Sequence, residues 1–391
     1  MLIKKAIIFL IFLFSFLIYT TPFAIKAQEI EPEQTEESLE AKIIQVMDEK
    51  MQIPEYGEKE QLYQKLKLLV TKGSLQDKEI VIESGNIPSA NLPKYKTGDK
   101  VIVNYTKDFE GNDSFYITDF IRRSSLLWLF IIFAVLTTII GKLRGATSLL
   151  GMAISFAIIF VFILPKILSG SDPILIAIIG SIFIIPVTFY LSHGFNKKTS
   201  VAIVSTLIAL IITGILAGVF VEVSKLTGFA SEEAGFLQVA KGNLVNIRGL
   251  LLAGIIIGVL GVLDDITVSQ SAIVFQLKEA NPRIRFDELY MRAMDVGQDH
   301  ISSMVNTLIL VYTGAALPLL LLFIDNPHPF SEVINYEIIA DEVVRTLVGS
   351  IGLILAVPIT TLLASMVVKE EPQTKVRGIF SPSKDSGSST H

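Results

Sequence analysis

A series of long apolar runs occupies most of this chain after residue 120. Because a bilayer core about 30 Å thick requires roughly 20 apolar residues in a helix, runs of this length predict membrane-crossing helices. The composition agrees, since 51% of the 391 residues are hydrophobic and only 18% are charged. We therefore predict an all-α polytopic membrane bundle of about seven transmembrane helices. The predicted spans are 124–141, 148–168, 173–192, 200–221, 249–266, 302–324 and 344–368.

The N-terminus has the pattern of a secretory signal. Lys4 and Lys5 precede a mostly apolar run, and the small-residue segment "TTPFAIKAQE" follows it. The apolar run is short for a membrane span, so residues 1–27 are predicted to be a signal peptide that is cleaved after Ala27. An uncleaved signal anchor that reaches Ile25 is the alternative. In both cases the segment that follows is expected to be exported.

Residues 28–122 have the composition of a water-soluble domain. A glutamate-rich stretch from Glu29 to Glu40 opens the domain and is predicted to be a solvated linker. The runs that follow are rich in β-branched and aromatic residues, and turn-forming segments such as "KTGD" separate them. About five strands in this segment predict a small exported β-barrel of the OB or SH3-like kind. The runs are "AKIIQVMDE", for which a helix stays an alternative, "KLKLLVTKG", "KEIVIES", "DKVIVNYT" and "SFYITDF".

Positive charges flank the predicted spans unevenly. With the β-rich domain outside, the inner segments carry twelve Lys and Arg residues and the outer loops carry five. Because positive residues favour the cytoplasmic side, we predict an extracytoplasmic N-terminal domain and a cytoplasmic C-terminus in a bacterial cell membrane. The transmembrane domain is expected at 123–368. The tail at 369–391 ends in "SPSKDSGSSTH" and is predicted to be disordered.

Composition and missing motifs exclude or disfavour several classes of function. The chain has no cysteine, which excludes disulfides, thiolate metal sites and cysteine nucleophiles. Its net charge of −5 is spread along the chain and leaves no basic face for nucleic acid. No Gly-x-Ser-x-Gly, His-Glu-x-x-His or phosphate-binding Gly-rich motif occurs, so we predict neither an enzyme with catalytic residues nor an ATP-driven pump. The sequence identifies no cofactor.

Two adjacent carboxylates, Asp264 and Asp265, interrupt one of the most apolar runs. Counted from Gly249 at 1.5 Å per residue, Asp264 lies roughly 22 Å along a helix. Ionisable residues at such a depth usually face a bundle interior or a water-filled cavity. One alternative is that the span ends at Leu263 and that an aspartate caps a cytoplasmic helix. Because "AIVF" after the pair is apolar again, a broken or re-entrant segment is a further interpretation.

A second polar group leads into the sixth predicted span. Asp299 and Asn306 share one stripe of a helix with Asp295 and Ser302, and His300 lies on the adjacent stripe. Such side chains can bind a hard or borderline cation or pass protons. The alternative is a solvated helix start whose polar groups bond to neighbouring helices. We predict an ion- or substrate-binding site near the inner side of the membrane, with its metal content left open, formed by Asp264, Asp265, Asp299, His300 and Asn306.

Two segments around these polar groups are distinctive. They are "GVLDDITVSQSAIVFQLKEANP" and "ELYMRAMDVGQDHISSMVNTLILVYTGAALPLLLL", in which "LDDITVSQ" and "GQDHISSMVNTL" are the specific parts. In these segments the chain resembles the YibE/YibF-like family of bacterial multi-span membrane proteins. The resemblance covers nearly the whole chain, including an exported β-rich domain before the membrane part. It implies a permease-like membrane protein and no particular substrate or reaction.

Transport is the first functional hypothesis from the sequence. Alternating access around a polar site requires acidic residues inside the membrane and prolines inside spans, and the sequence has both. Because the chain has no phosphate-binding motif, ion coupling is the remaining energy source. The alternative is an envelope or regulatory component that does not transport and binds a partner through its exported domain. An intramembrane aspartyl enzyme is a third interpretation, but "LDD" departs from the Gly-x-Gly-Asp pattern of such proteases. The expected partners are the lipid bilayer, a small ion or metabolite, and an envelope protein.

Overall fold

The computed structural model describes residues 36–369, except 55–56, 58, 90–91, 108–111 and 325–327. The predicted signal peptide or anchor at 1–27 lies outside the described residues, and so do residues 28–35 and the tail from residue 370. The chain divides into two compact units, with the division between Leu136 and Thr137. Each unit is described by itself.

The first unit is built on one antiparallel sheet of five strands in the order β3-β2-β1-β4-β5. Each of the five predicted β-like runs forms a strand, and "AKIIQVMDE" lies in β1 rather than in a helix. Apolar residues alternate with polar ones along the strands, so one face of the sheet is buried. The strands are β1 Glu37–Gln52, β2 Gln61–Lys72, β3 Glu79–Ser84, β4 Lys100–Lys107 and β5 Asp113–Phe120.

The core of the sheet comes from side chains that alternate along the three central strands. Leu66, Leu68 and Val70 of β2 are fully buried, whereas Lys67, between the two leucines, pairs with Glu79 of β3 at 2.5 Å. This period of two places every second side chain of β2 on the buried face. The other buried members of this core are Leu39, Ala41, Ile43, Ile80, Ile82, Tyr95, Val101 and Val103.

The predicted small barrel is confirmed only in part, because the sheet is an open half-barrel. Strands β3 and β5 are its two edges, and no ladder joins them among the described residues. Closure requires edge strands that pair along their length with a fixed stagger. The edge strand β3 has only six residues, and it pairs with β2 on one side alone.

The acidic stretch that opens this domain is not a solvated linker throughout. Strand β1 begins at Glu37, and Arg123 donates two hydrogen bonds to Glu40, at 2.8 and 2.6 Å. The Arg123 guanidinium holds the pKa of the Glu40 carboxyl below its usual value, since a hydrogen-bonded cation favours the charged form. The sequence could not predict this pair, because its members lie 83 residues apart.

The remaining described chain is helical, and apolar side chains cover much of its surface. A short π-helical turn, Ile159–Ile163, follows the first helix, just before Pro165, which has no N–H to donate to the preceding turn. The helices are α1 Arg123–Ile158, α2 Leu164–Leu168, α3 Pro173–His193, α4 Lys197–Val223, α5 Glu232–Lys241, α6 Ile247–Ala280, α7 Phe286–Ala315, α8 Leu317–Ile324, α9 Phe330–Val333 and α10 Glu337–Lys369.

Five helices are long and apolar enough to cross a membrane, by length and composition, which is fewer than the seven predicted. The first two predicted spans fall in one helical stretch, Arg123–Leu168. Its one internal residue with non-helical angles is Lys142, with φ 53° and ψ −135°. The predicted span 302–324 is divided between α7 and α8. The others are Pro173–His193, Lys197–Val223, Ile247–Ala280 and Glu337–Val368.

The chain reverses at Lys142. In a straight helix, residues eight apart are about 12 Å apart along the axis. Gly145 nevertheless packs directly against the backbone of Thr137, so that any side chain on Gly145 would collide with it. A glycine after the turn therefore permits this close approach.

Helices α4, α6 and α10 form the centre of the helical unit, and α3 and α7 pack on this group. Small residues bring these helices close together. A Cβ on Gly349 of α10 would lie 3.3 Å from Val259 of α6, and Gly352 packs on Thr213 of α4. The buried apolar residues of these helices form two clusters, a large one that includes most of α3, α4 and α6, and a smaller one where α7 packs on the ends of α6 and α10.

Candidate functional site

Asp264 and Asp265 lie in the middle of α6, which is helical without a break from Ile247 to Ala280. Asp264 is 17 residues from the start of α6, or about 26 Å along it. The helix begins at the cap residue Asn246, whose side chain accepts a hydrogen bond from the Gly249 N–H at 3.0 Å. The interpretations of the pair as a helix cap or as part of a broken segment are therefore both wrong.

Asp264 lines a cavity of about 300 Å³ between α1, α3 and α6. Four of the side chains that line the cavity carry hydroxyl groups, although the helices around it are largely apolar. The residues around Asp264 are Ser148, Met152, Ser155, Phe156, Ile159, Thr188 and Ser192. Asp264 is its single carboxylate.

Small and hydroxyl-bearing residues on one face of each helix produce this cavity. A Cβ on Gly151 of α1 would lie 3.5 Å from the Thr188 Cα, in ordinary van der Waals contact, so α1 packs closely on α3 at this point. Ser148 and Ser155 are seven residues apart, and Thr188 and Ser192 are four apart. These spacings bring each pair to one face of its helix.

Two of the four hydroxyl groups, those of Ser155 and Thr188, present oxygen lone pairs rather than protons. The Ser155 hydroxyl donates to the Gly151 carbonyl at 3.0 Å, and the Thr188 hydroxyl donates to the Ile184 carbonyl at 2.9 Å. Because these donors are already used, their oxygens can only accept. A carboxylate with several acceptor oxygens can hold a proton, an ordered water or a cation. Among the residues that the structure describes, no group of three or more His, Asp or Glu side chains could hold a metal ion.

Asp265 does not line this cavity. Successive helical residues point about 100° apart, and the side chain of Asp265 is exposed whereas that of Asp264 is partly buried. Asp265 interacts electrostatically with His193 at the end of α3. Lys198 and Arg144 interact with the same imidazole. The two carboxylates of the pair therefore have different surroundings.

Asp299, His300 and Asn306 lie on α7, and none of them lines the cavity. Gly297 of the same helix faces α6, since a Cβ there would lie 3.0 Å from the Gln270 amide nitrogen. Asp299 and Asn306 are about 200° and 180° around the helix from Gly297, and both are exposed. His300 is about 60° from Gly297 and is half-buried. Their part in a binding site stays a prediction.

A layer of buried polar side chains joins α4, α6, α7 and α10, and it is not part of the predicted site. The Thr206 and Thr267 hydroxyls share a hydrogen bond of 2.7 Å. The Gln270 amide donates to the Ala293 carbonyl at 2.8 Å and to the Thr361 hydroxyl at 2.7 Å. In a membrane, such bonds hold helices together. The run after the aspartate pair contains Thr267 and Gln270, but their partners lie far away in the sequence.

The contact between Gly297 and Gln270 leads to a stability prediction. We expect Gly297→Ala to destabilise the bundle by about 1 to 3 kcal/mol, because the new Cβ would press on Gln270 and Val357 inside a packed interface. Gly254→Ala is the matched control, since a Cβ at Gly254 meets no atom within 4 Å. Thermal unfolding in detergent, followed by circular dichroism, measures the difference. Equal midpoints for the two variants would contradict the packing described here.

Comparison with known proteins identifies one family. The family model described as YibE/F-like protein matches residues 129–370, which is well over half of the chain. The match includes the cavity residues and the buried polar layer. No curated protein and no solved structure matches the chain significantly.

Proposed function

This chain belongs to the YibE/F-like protein family and is a membrane protein, and on that basis we propose that it is an ion-coupled secondary transporter. The observation that carries the proposal is the position of Asp264, a lone carboxylate in a hydroxyl-lined cavity between three apolar helices. An ionisable group inside a membrane bundle is costly, and such groups mark ion or substrate pathways. Asp264 is the proposed coupling carboxylate.

The size and chemistry of the cavity limit what it can admit. A volume of about 300 Å³ is at the lower end for small-molecule sites, so a hydrated ion or a small metabolite fits it better than a large solute. One carboxylate supplies one negative charge, which matches a proton or a monovalent cation. In this proposal the four other residues predicted from the sequence, Asp265, Asp299, His300 and Asn306, have supporting roles that neutral substitutions would test.

Uptake into liposomes tests the proposal directly. The purified protein is reconstituted with a pH-sensitive dye inside, and gradients of small ions and metabolites are imposed one at a time, with and without a Na⁺ gradient. We expect at least one solute to move faster than in protein-free liposomes and to carry protons or Na⁺ with it. Solute movement at a rate that does not depend on the proton gradient or the Na⁺ gradient would contradict coupling.

The proposed membrane topology has seven crossings, with the N-terminal domain extracytoplasmic and the C-terminus cytoplasmic. The stretch Arg123–Leu168 has 46 residues, enough for two passes through a core about 30 Å thick, and the reversal at Lys142 supports a turn there. The helices α7 and α8 together supply a further crossing. The excess of positive residues on the inner segments supports the orientation.

Cysteine labelling tests this topology in a chain that has no cysteine of its own. We expect an impermeant maleimide to label Ser89→Cys in cells whose outer membrane or wall has been permeabilised. It should label Ser381→Cys only after the inner membrane is broken. The physical reason is that the reagent cannot cross the bilayer. Equal labelling of both positions in cells with an intact inner membrane would contradict the orientation.

An envelope or regulatory component that binds a partner is the second candidate function. The observation in its favour is a group of exposed apolar side chains on the sheet domain, Met51, Ile53 and Ile87, with exposed fractions of 58%, 59% and 75%. Gly57 lies against Pro54 and Pro88, so the two segments that carry these side chains are neighbours. Exposed apolar groups of this kind mark interaction surfaces. Deletion of residues 28–122 separates the candidates, because solute flux should survive it and partner sensing should not.

A further inference from the structure

A second carboxyl, Asp341, is enclosed in the helical bundle. It lies on the second turn of α10, and only 7% of its surface is exposed. Its Oδ1 atom is buried and has no hydrogen-bond partner. Buried polar atoms are almost always paired, and an enclosed carboxylate without partners is strongly disfavoured. This oxygen therefore requires an explanation.

Asp341 and Asp264 lie at different levels of the bundle. Gly349 of α10 lies beside Val259 of α6, and Thr361 bonds to Gln270, so α6 and α10 run parallel with a constant offset in numbering. On this offset Asp341 is level with about residue 251 of α6. The two carboxyls are therefore roughly 20 Å apart along the bundle axis.

Three charged groups near this end of the bundle have partners. Glu337, one turn before Asp341, accepts hydrogen bonds from the Thr227 hydroxyl at 2.7 Å and from the Gly228 N–H at 2.9 Å. On the neighbouring helices, Arg248 of α6 donates to Glu222 of α4 at 2.7 Å. The bonds of Glu337 hold the loop after α4 against the start of α10. Among the described residues, no cation on another helix forms an ion pair with Asp341.

Arg345 lies one turn after Asp341 and is the nearest cation on its own helix. Its Nε atom is buried and has no hydrogen bond, and the Glu342 carboxylate lies 3.9 Å away, beyond hydrogen-bond distance. Residues four apart on a helix lie on one face and can pair when both are charged. Asp341 and Arg345 are thus a neighbouring carboxyl and guanidinium, and their buried Oδ1 and Nε atoms have no hydrogen-bond partner.

We infer that Asp341 is a second proton-binding carboxyl, roughly 20 Å from Asp264 along the bundle axis, and that Arg345 is its tethered counter-charge. With the proton bound, the carboxyl is neutral and can lie enclosed without a partner. When the proton leaves, the carboxylate pairs with the Arg345 guanidinium, which stays protonated throughout. The part of this site in coupling rests on the proposed function, whereas proton binding itself does not.

A hydrophobic carbodiimide tests the site in the full-length protein in detergent. The reagent adds to a protonated carboxyl: the acid O–H bond breaks, the oxygen bonds to the central carbon and the proton moves to nitrogen. Rearrangement then leaves a stable adduct that peptide mass spectrometry locates. We expect an adduct on the peptide with Asp341 that forms several-fold faster near about pH 6 than near about pH 8, and none in Asp341→Asn.

Three outcomes would overturn the assignment: no adduct at Asp341, equal rates at both pH values, or protection by Na⁺ or K⁺ at constant pH. The last would make Asp341 a cation site. Because labelling requires no transport, a protein that moves no solute but forms the adduct would lose the proposed function and keep this inference. Normal flux without an adduct would keep the proposed function and overturn this inference.

A substitution of Arg345 tests the counter-charge. A neighbouring cation favours the charged carboxylate, so Arg345→Gln should leave more of Asp341 protonated and raise its labelling near about pH 8. Arg292→Gln is the control, because Arg292 pairs with Glu288 at 2.6 Å on α7. Unchanged labelling in Arg345→Gln, or an equal rise in the control, would overturn the role of Arg345.

Discussion

Replacement of Asp264 by asparagine is expected to lower ion-coupled flux in liposomes by at least about tenfold, which corresponds to about 1.4 kcal/mol in the transport barrier. Asparagine has nearly the same shape as aspartate, but it can neither carry the negative charge nor bind and release a proton at neutral pH. The hydroxyl oxygens of Ser155 and Thr188 would remain in the cavity without the carboxylate that they surround. Initial rates at equal protein content per liposome measure the effect.

Asp172→Asn is the matched control for this substitution. Asp172 caps α3, where its side chain accepts a hydrogen bond from the Leu175 N–H at 2.8 Å. Because asparagine is an equally good cap, this variant should keep its flux. Flux near the wild-type rate in Asp264→Asn would contradict the coupling role. Losses of the same size in Asp265→Asn and Asp299→Asn would instead support the five-residue site predicted from the sequence.

The second large effect is expected in the sheet domain, where the buried Gln64 holds a loop against β2. Only 1% of Gln64 is exposed. Its amide nitrogen donates to the Tyr95 carbonyl at 3.0 Å, and its amide oxygen accepts from the Tyr95 N–H at 2.8 Å. One side chain thus satisfies both backbone groups of Tyr95, whose ring packs on Phe120 with 5.2 Å between the ring centroids.

We expect Gln64→Ala to lower the free energy of unfolding of the isolated segment 36–122 by about 3 kcal/mol. The substitution would leave the Tyr95 N–H and carbonyl buried without partners, and each orphaned group costs about 1 to 3 kcal/mol. Urea unfolding followed by circular dichroism measures the change. The segment is suitable because its apolar core consists of its own residues alone.

Gln76→Ala provides the control, since Gln76 is an exposed residue in the turn after β2 and its loss should change stability by no more than about 0.5 kcal/mol. Equal unfolding midpoints for Gln64→Ala and Gln76→Ala would show that the loop does not depend on the Gln64 bonds. A wild-type segment with a helical spectrum would contradict independent folding of the sheet.

Local patterns in the sequence were sufficient to predict the elements of secondary structure in the sheet domain. The alternation in "KLKLLVTKG" places Leu66, Leu68 and Val70 on one face, and that face is the buried one. The family resemblance, which rests on "LDDITVSQ" and "GQDHISSMVNTL", is also confirmed. These features depend on neighbours in the chain, so the sequence itself contains the information.

The closure of the sheet and the count of spans depended on more than local pattern. Whether β3 and β5 pair through backbone hydrogen bonds depends on strand length and stagger across the whole sheet. The turn residues do not specify these. The break at Lys142 is different, because it falls between the predicted spans 124–141 and 148–168, where Gly141 and Gly145 lower the helical propensity. Only the structure showed the positive φ of 53° at Lys142 and the contact of Gly145 with Thr137.

The candidate site also combines features that the sequence predicted with features that depend on long-range packing. From its sequence alone, this chain was determined to be a membrane bundle with two carboxylates deep in an apolar helix and a β-rich domain before it. Only the tertiary structure decided that Asp264 faces a cavity while Asp265 is exposed, and that Asp299 and Asn306 lie on the outer face of α7. The physical reason is that a helical pattern gives the angle between two side chains on one helix, whereas the helix that each side chain faces depends on packing between segments far apart in the chain.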